Sequence, residues 1–390
     1  MRILGIERLR AVAITMVYLI HAHAYGYLRP LQQLGTWAGV DLFFVISGFV
    51  VTLSLEKLLP EREPRSLRAP VSAEDRRAMR TFYARRFFRL APIACCALLL
   101  HLVGAAVGPS ISKATPFDTV GHWALETAAV LSGLYNFVAP YLDHPPMAFF
   151  WSLSVEEQFY LLLPSLFVLA PTRRARTIAA LTVIVLVAGV IRPLFSPDQF
   201  GAAHYMSQFR FDSLAAGVIL ALQRRHLASV AERVSPGLRK ALVFACLGML
   251  LFVSRHTYIW FAIHNGLVLI WLASVCLVAC AVIDSRDVLD FPVLGRVLEH
   301  VGSRSYAIYV IHTAFLFLDE TIADGAGARW KRALTSAPGE TVRFLVVATI
   351  VLGLAELAYR YVERPAIEAG KRWVARSSAR AEAASVLAGS

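Results

Sequence analysis

Long apolar runs recur along the whole chain, and short polar stretches separate them. An apolar run of about 17–25 residues is long enough to cross the hydrocarbon core of a bilayer as an α-helix. The pattern therefore predicts an all-α, polytopic membrane protein with about ten transmembrane helices. The predicted spans lie at 9–27, 36–54, 88–107, 148–170, 177–194, 206–223, 240–254, 261–283, 300–319 and 342–362.

One further stretch, 119–138, is only moderately apolar. It contains His122, Glu126 and Asn136. Ionisable and amide side chains are costly inside a bilayer, so this stretch is predicted to be a re-entrant or interfacial helix rather than an eleventh span.

Basic residues decide the orientation of the predicted helices. With ten spans, 30 of the 39 Lys and Arg residues fall on one side of the membrane. Cytoplasmic loops carry the excess of positive charge in membrane proteins, so both termini are predicted to be cytoplasmic. An eleventh span would reverse the second half of the chain and remove this asymmetry.

Composition agrees with this picture and narrows the possible partners. The chain is 57% hydrophobic and 17% charged, which is unusually apolar for a soluble protein of its size. The net charge of +12 follows from the predicted topology, so no nucleic-acid partner is expected, and the bilayer is the main partner. All five cysteines lie in apolar runs and are predicted core residues, and no metal site is expected.

The chain is predicted to form one membrane domain over residues 1–366. Residues 367–390 are rich in Ala, Arg, Glu and Ser. They are predicted to be a short, disordered cytoplasmic tail.

Ionisable side chains inside the predicted spans point to function. Arg10 and His21 are eleven positions apart, so they share one face of the first helix, about 16 Å apart along its axis. Buried ionisable groups in membrane helices usually pair with one another or line a polar cavity. Six more candidates fall at the level of His21, in the half of the membrane away from the cytoplasm: Asp41, Glu156, Arg210, Asp212, Tyr309 and His312.

The fourth predicted span carries its polar groups on one face. Ser152, Glu156 and Tyr160 follow i, i+4 spacing and are expected to project together. Glu157 is expected to point about 100° away from them.

Arginines cluster at the cytoplasmic start of the third span, where Arg85, Arg86 and Arg89 join Arg10. Guanidinium groups bind phosphate oxygens in bidentate geometry. Ordinary positive-inside flanking and binding of anionic lipid head groups explain such a cluster equally well. A basic site on the cytoplasmic side and a layer of acid–base groups towards the opposite side of the membrane would suit a cofactor with an anionic head and a long thin arm, such as coenzyme A.

The motifs resemble those of the acyltransferase-3 family of integral membrane acyltransferases. Two departures are present: Arg8 stands where the family often has Gly, and no SGNH hydrolase-like domain follows the membrane domain. The matching segments run in the family's order from residue 5 to about 366: LRAVAITMVYLIHA, GVDLFFVISGF, RRFFRLAP, WSLSVEEQFYLLLP, FRFDSLAAGVILA, SYAIYVIH and YVERP.

The resemblance implies transfer of an acyl group, commonly acetyl from acetyl-CoA, to a hydroxyl of a sugar or glycan. It implies an enzyme of the bacterial inner membrane acting on acceptors such as lipopolysaccharide O-antigen or exopolysaccharide, with a separate partner protein completing the transfer as one option. His21 would be the catalytic imidazole, and Arg10, Arg86 and Arg89 would support the cofactor.

The residues suggest a mechanism in which His21 accepts the hydroxyl proton as general base. Glu156 is the first candidate to orient its ring, and Asp41 is the second. An acyl-histidine intermediate is an alternative route. The candidates for substrate binding or oxyanion stabilisation are Ser152, Tyr160, Arg210, Asp212, Tyr309 and His312.

Competing functions stay open on sequence alone. A proton-coupled secondary transporter also places imidazoles and carboxylates at depth, although no repeat symmetry is visible. The acceptor could instead be a small molecule such as a macrolide. The sequence does not specify the oligomeric state.

Overall fold

The computed structural model describes residues 3–24, 35–63, 71–111, 120–142, 147–194, 204–256 and 266–389. Every regular element in these ranges is helical, which confirms the all-α fold class. The helices are α1 (Leu4–Ala24), α2 (Gly39–Leu58), α3 (Ala73–Ile111), α4 (Val120–Leu131), α5 (Tyr135–Val138), α6 (Phe150–Leu169), α7 (Arg173–Ile184), α8 (Phe211–Leu222), α9 (Arg224–Arg233), α10 (Pro236–Arg255), α11 (Gly266–Ile283), α12 (Leu294–Ser303), α13 (Ser305–Gly325), α14 (Ala328–Leu334), α15 (Ala337–Ala358) and α16 (Arg364–Gly389).

Seven helices in the described ranges are long and apolar enough to cross a membrane, which makes the chain a multi-pass membrane protein. They correspond to seven of the ten predicted spans. The other three predictions coincide with α1, α6 and α8. Of these, α1 and α6 have 21 and 20 residues but carry ionisable groups, and α8 has only 12 residues. The count of ten and the side on which the termini lie stay predictions.

The stretch at 119–138 forms two short helices, α4 and α5. The helical conformation is interrupted between them at Gly133, whose φ of +67° is a conformation that glycine adopts without strain. Twelve and four residues are too few to cross a bilayer, in agreement with the predicted non-spanning segment.

The C-terminal segment differs from its prediction. We expected residues 367–390 to be disordered, whereas α16 is helical as far as Gly389. Its first half packs back on α3, where the rings of Phe88 and Trp373 lie 6.5 Å apart. Val374 is buried in the same contact region, so the segment has an apolar face that its polar composition concealed.

Helix α1 lies at the centre of the bundle and packs on α2, α11, α12 and α13. The buried guanidinium of Arg8 links α1 to the α11–α12 connection, where it bonds Asp290 at 2.5 Å, and to α12, where it bonds Glu299 at 2.6 Å. Helices α2 and α8 approach closely at Gly48 and Gly217, where a Cβ on either glycine would strike the partner's backbone. This packing brings the polar residues of α1, α2, α6, α8 and α13 into one region.

Candidate functional site

A cavity with a volume of about 90 Å³ lies between α1, α2, α3, α6 and α13. Its arginine end is formed by Arg10, Arg86 and Arg89. Its opposite, hydroxyl-rich end is formed by Ser152 and Tyr309. The cavity therefore has a basic end and a neutral polar end, which suits a ligand with an anionic head.

The arginines of this cavity are only partly balanced by carboxylates. Within the described chain, neither Arg86 nor Arg89 makes a direct ion pair, and Arg10 pairs with Glu7 at 3.2 Å. The Arg86 guanidinium lies over the ring of Tyr160, 5.3 Å from its centroid, which holds it in place. Three guanidiniums and the two carboxylates of Glu156 and Glu363 line the cavity, so a net positive charge remains that favours an anion.

Arg85 behaves differently from the other three arginines predicted to bind the cofactor. Its side chain is exposed and does not line the cavity. It precedes Arg86 by one position, which turns it about 100° away on the helix.

The predicted polar face of α6 is present in the structure. Ser152, Glu156 and Tyr160 all line the cavity, whereas Glu157 lines only an adjoining apolar groove, which meets the cavity at Arg86 and Tyr160. The hydroxyls of Ser47 and Tyr160 donate to Glu156 Oε2 at 3.0 and 2.5 Å and also contact one another. Glu156 is thus tied to α2 and to its own helix, and it does not bond His21.

His21 pairs with another imidazole, that of His312 on α13, and the two nitrogens are 3.0 Å apart. His312 Nδ1 faces the carbonyl oxygens of Tyr309 at 2.7 Å and Ile308 at 3.1 Å, so it donates and leaves Nε2 as an acceptor. His21 Nδ1 then faces two acceptors, His312 Nε2 and the Val17 carbonyl at 2.9 Å.

Because Nδ1 faces two acceptors, the proton of the His21 ring is assigned to Nδ1. His21 Nε2 is left with a free lone pair, and no described residue bonds it. The pair therefore has the geometry of a general base, His21, held by a positioning residue, His312. We had expected a carboxylate in that position and had placed His312 among the oxyanion candidates.

The side chain of Tyr309 lies between the cavity and the histidine pair. His21 and His312 do not line the cavity, but Tyr309 does, and its ring centroid is 6.0 Å from that of His312. The Tyr309 hydroxyl bonds Ser152 at 2.5 Å and donates to the Phe149 carbonyl at 3.1 Å. Tyr309 thus occupies the contact between the cavity floor and the imidazoles.

The remaining predicted site residues form buried ion pairs. Asp41 accepts from Arg210 at 2.8 Å and from the Ser213 hydroxyl at 3.0 Å. Asp212 pairs with Arg192 at 2.7 Å. These residues join α2 and α8 to the end of α7, and none of them lines the cavity or bonds His21.

We expect Asp41→Ala to lower the stability of the protein strongly. Removing one partner of a fully buried ion pair leaves the other charge unpaired, which costs about 3–5 kcal/mol. Thermal unfolding in detergent measures the loss, and the double variant Asp41→Ala/Arg210→Met should recover part of it. An Asp41→Asn protein that melts like the wild type but has lost activity would instead assign Asp41 a catalytic role.

Two residues near the site were not predicted from the sequence. Ser47 lies within the quoted segment GVDLFFVISGF, one and a half turns after Asp41, which could have drawn attention to it. Tyr18 precedes His21 by three positions and packs its ring 5.9 Å from that of His312, and its buried hydroxyl has no hydrogen-bond partner in the described chain. Sequence spacing could have identified Tyr18 as a neighbour of His21.

Fold and site together define a class: a multi-pass helical membrane protein with a cationic cavity that leads towards a buried imidazole pair. Comparison with known proteins specifies the class further. The model of a family described as an acyltransferase domain, acyltransferase-3, matches residues 3–357. The chain belongs to this family.

Two relatives illustrate the similarity. The chain is 26% identical over 390 residues to a Bacillus subtilis protein named "Putative peptidoglycan O-acetyltransferase YrhL". It is 26% identical over 378 residues to the peptidoglycan O-acetyltransferase OatA of Listeria monocytogenes. These alignments cover 95% and 93% of this chain but only 56% and 55% of the relatives, so the chain spans about half of their length. No solved structure matches the chain.

Proposed function

We propose that this protein is a membrane-embedded O-acyltransferase that moves an acyl group, most simply acetyl, from acyl-CoA to a hydroxyl of a cell-envelope glycan. One observation carries the proposal. A cavity with arginines at one end reaches Tyr309 at the other, and Tyr309 contacts His312, the partner of His21. Such a cavity offers separate places for an anionic carrier and for acid–base chemistry.

The arginine end fits the phosphates of coenzyme A. Arg86 and Arg89 supply guanidinium donors that no described carboxylate occupies, and Arg10 adds a third. The rise from Arg10 to His21 along α1 is about 16 Å, which is the scale of an extended pantetheine arm. Acyl-CoA would therefore act as the donor substrate, with its head at the arginines and its thioester near Tyr309.

His21 acts as the general base. Its Nε2 accepts the proton of the acceptor hydroxyl while the hydroxyl oxygen bonds to the thioester carbonyl carbon. The carbon–sulfur bond breaks, and the imidazolium returns the proton to the leaving thiolate. His312 accepts from His21 Nδ1–H and so keeps the reactive lone pair on Nε2. General-base catalysis of this kind contributes about 10²–10⁴-fold to the rate.

Tyr309 must move for the thioester to reach His21. Its ring lies between the cavity and His312, and its hydroxyl is held by Ser152 and the Phe149 carbonyl. Rotation of this one side chain would join the cavity to the imidazole pair. Its hydroxyl would then be free to donate to the developing oxyanion.

The acceptor is a sugar hydroxyl of the cell envelope. Peptidoglycan is the acceptor named for the relatives, and the lipopolysaccharide and exopolysaccharide predicted from the sequence present the same hydroxyl chemistry. A separate partner protein that completes the transfer remains part of the proposal. The membrane would be the inner, plasma membrane, with the arginine end in the cytoplasm.

Labelled acetyl-CoA tests the function directly. Membrane vesicles containing the protein, supplied with peptidoglycan fragments and with envelope polysaccharide as separate acceptors, should yield glycan carrying base-labile acetyl label. Vesicles without the protein are the control. Absence of labelled glycan with either acceptor would contradict the proposal. Rapid denaturation in mid-reaction near neutral pH separates the two chemical routes, because only the acyl-histidine route leaves label on the protein.

A further inference from the structure

A second basic surface lies outside the catalytic cavity, between α3 and the first half of α16. We call it the α3–α16 groove. Its polar part has a volume of about 240 Å³, and none of the residues lining it line the catalytic cavity. Its polar lining is formed by Arg76, Arg77, Arg80, Thr81, Ser377 and Ser378.

The three arginines of this groove are not neutralised by neighbours. Within the described chain, none of them makes an ion pair, and Arg76 donates only to the carbonyl of Val71. The adjacent carboxylates, Glu74 and Asp75, are engaged instead by Arg62, at 3.0 and 2.6 Å. The groove therefore keeps three positive charges beside two serine hydroxyls.

An apolar cavity continues directly from this basic part. It has a volume of about 640 Å³ and shares Arg76, Arg80 and Trp373 with the polar part. Arg80 lies 5.3 Å from the centroid of the Trp373 ring, at the junction of the two parts. The remaining lining is apolar or aromatic: Met79, Tyr83, Ala84, Phe87 and Phe88.

The apolar part extends further along α3. Tyr83 and Phe87 also line the apolar groove that contains Glu157, so the surface continues from the arginines towards the middle of the bundle. Phe87 is 64% exposed, which places its ring where lipid chains would cover it. A ligand matched to the whole surface has an anionic head and a long apolar tail.

We propose that the α3–α16 groove binds an anionic phospholipid. The lipid phosphate lies among Arg76, Arg77 and Arg80, with Ser377 and Ser378 donating to its oxygens. Its acyl chains lie against Trp373, Phe88 and Phe87. A basic residue near a membrane surface contributes about a fivefold increase in affinity for anionic lipid, so the three together select strongly against neutral lipid. Binding would also fix α16 against α3, the helix that supplies Arg86 and Arg89 to the catalytic cavity.

Native mass spectrometry with equal amounts of phosphatidylglycerol and phosphatidylcholine tests the site. We expect the wild-type protein to retain phosphatidylglycerol preferentially. The variant Arg76→Gln/Arg77→Gln/Arg80→Gln should bind it about 100-fold more weakly and should bind phosphatidylcholine unchanged. The matched control Arg225→Gln/Arg233→Gln/Lys240→Gln removes three exposed charges elsewhere and should retain the lipid.

Three results would overturn the proposal: equal retention by the wild type and the groove variant, equal loss in the control, or displacement of phosphatidylglycerol by acetyl-CoA. The last result would assign the groove to the acyl donor. If the triple variant does not fold, Arg77→Gln and Arg80→Gln serve singly, each with an expected loss of about fivefold.

Discussion

Replacing His21 with alanine is expected to reduce acyl transfer to glycan by about 10²–10⁴-fold while leaving the protein folded and inserted. The half-buried His21 ring carries the one imidazole nitrogen of the pair that has a free lone pair. Without it, the lone pair that accepts the hydroxyl proton is lost. The measurement is the initial rate of label transfer from acetyl-CoA at saturating acceptor, normalised to folded protein.

His312→Ala should also lower the rate, by less than His21→Ala, and it should change the pH dependence. His312 acts through His21. Its loss would leave the base in place, but the proton of His21 would no longer be held on Nδ1. His101→Ala is the matched control, because His101 is an equally buried imidazole that bonds Thr313 at 3.1 Å and does not bond His21. A His21→Ala enzyme with the wild-type rate, or a His101→Ala enzyme that is equally inactive per folded molecule, would remove His21 from the mechanism.

Replacing Arg86 or Arg89 with glutamine is expected to raise the KM for acetyl-CoA about tenfold each, and the double variant about 100-fold, with a smaller effect on kcat. A hydrogen bond to a charged group contributes about 1.5–3 kcal/mol, and about 1.4 kcal/mol is a factor of ten in affinity. The measurement is the rate as a function of acetyl-CoA concentration. The KM of the wild type should also rise with ionic strength, because salt screens the phosphate contacts.

Arg85→Gln is the matched control for the two arginines. It removes the same charge from the adjacent position of α3, but the side chain is exposed and lies outside the cavity. Its KM should stay close to the wild-type value. Equal effects at Arg85 and Arg86 would show that only the general positive potential matters, and an unchanged KM in the double variant would leave the donor site without its arginines.

Much of the fold could be predicted from the sequence because apolar run length translates directly into helix length. All ten predicted spans coincide with helices. Three of these helices, α1, α6 and α8, are not long and apolar enough to qualify as membrane spans. Helices α1 and α6 carry ionisable residues of the site, such as Arg10 and Glu156, whereas α8 is apolar but only 12 residues long. In α1 and α6, the polar groups that define the site also weaken the membrane signal.

Positions within one helix were also predictable. The 3.6-residue period correctly placed Ser152, Glu156 and Tyr160 on one face and Glu157 on another. The same period explains why Arg86 lines the cavity and Arg85 does not, although the sequence predicts the same cofactor-binding role for both.

Contacts between helices could not be predicted in this way. Depth in the membrane placed Asp41, Glu156 and His312 at the level of His21, but only the rotation of each helix about its axis decides which of them meets it. Packing of α2 on α8 at two glycines turns Asp41 towards Arg210. Packing of α13 on α1 brings His312 to His21.

The sequence by itself therefore determined the helical membrane class, the family resemblance and the helix face that each ionisable group occupies. Only the tertiary structure decided that His21 pairs with an imidazole rather than a carboxylate, that Asp41 is held in a buried ion pair, and that α16 folds back on α3. The physical reason is that a helix period is a local property of the backbone, whereas the partner of a side chain depends on how separate helices pack.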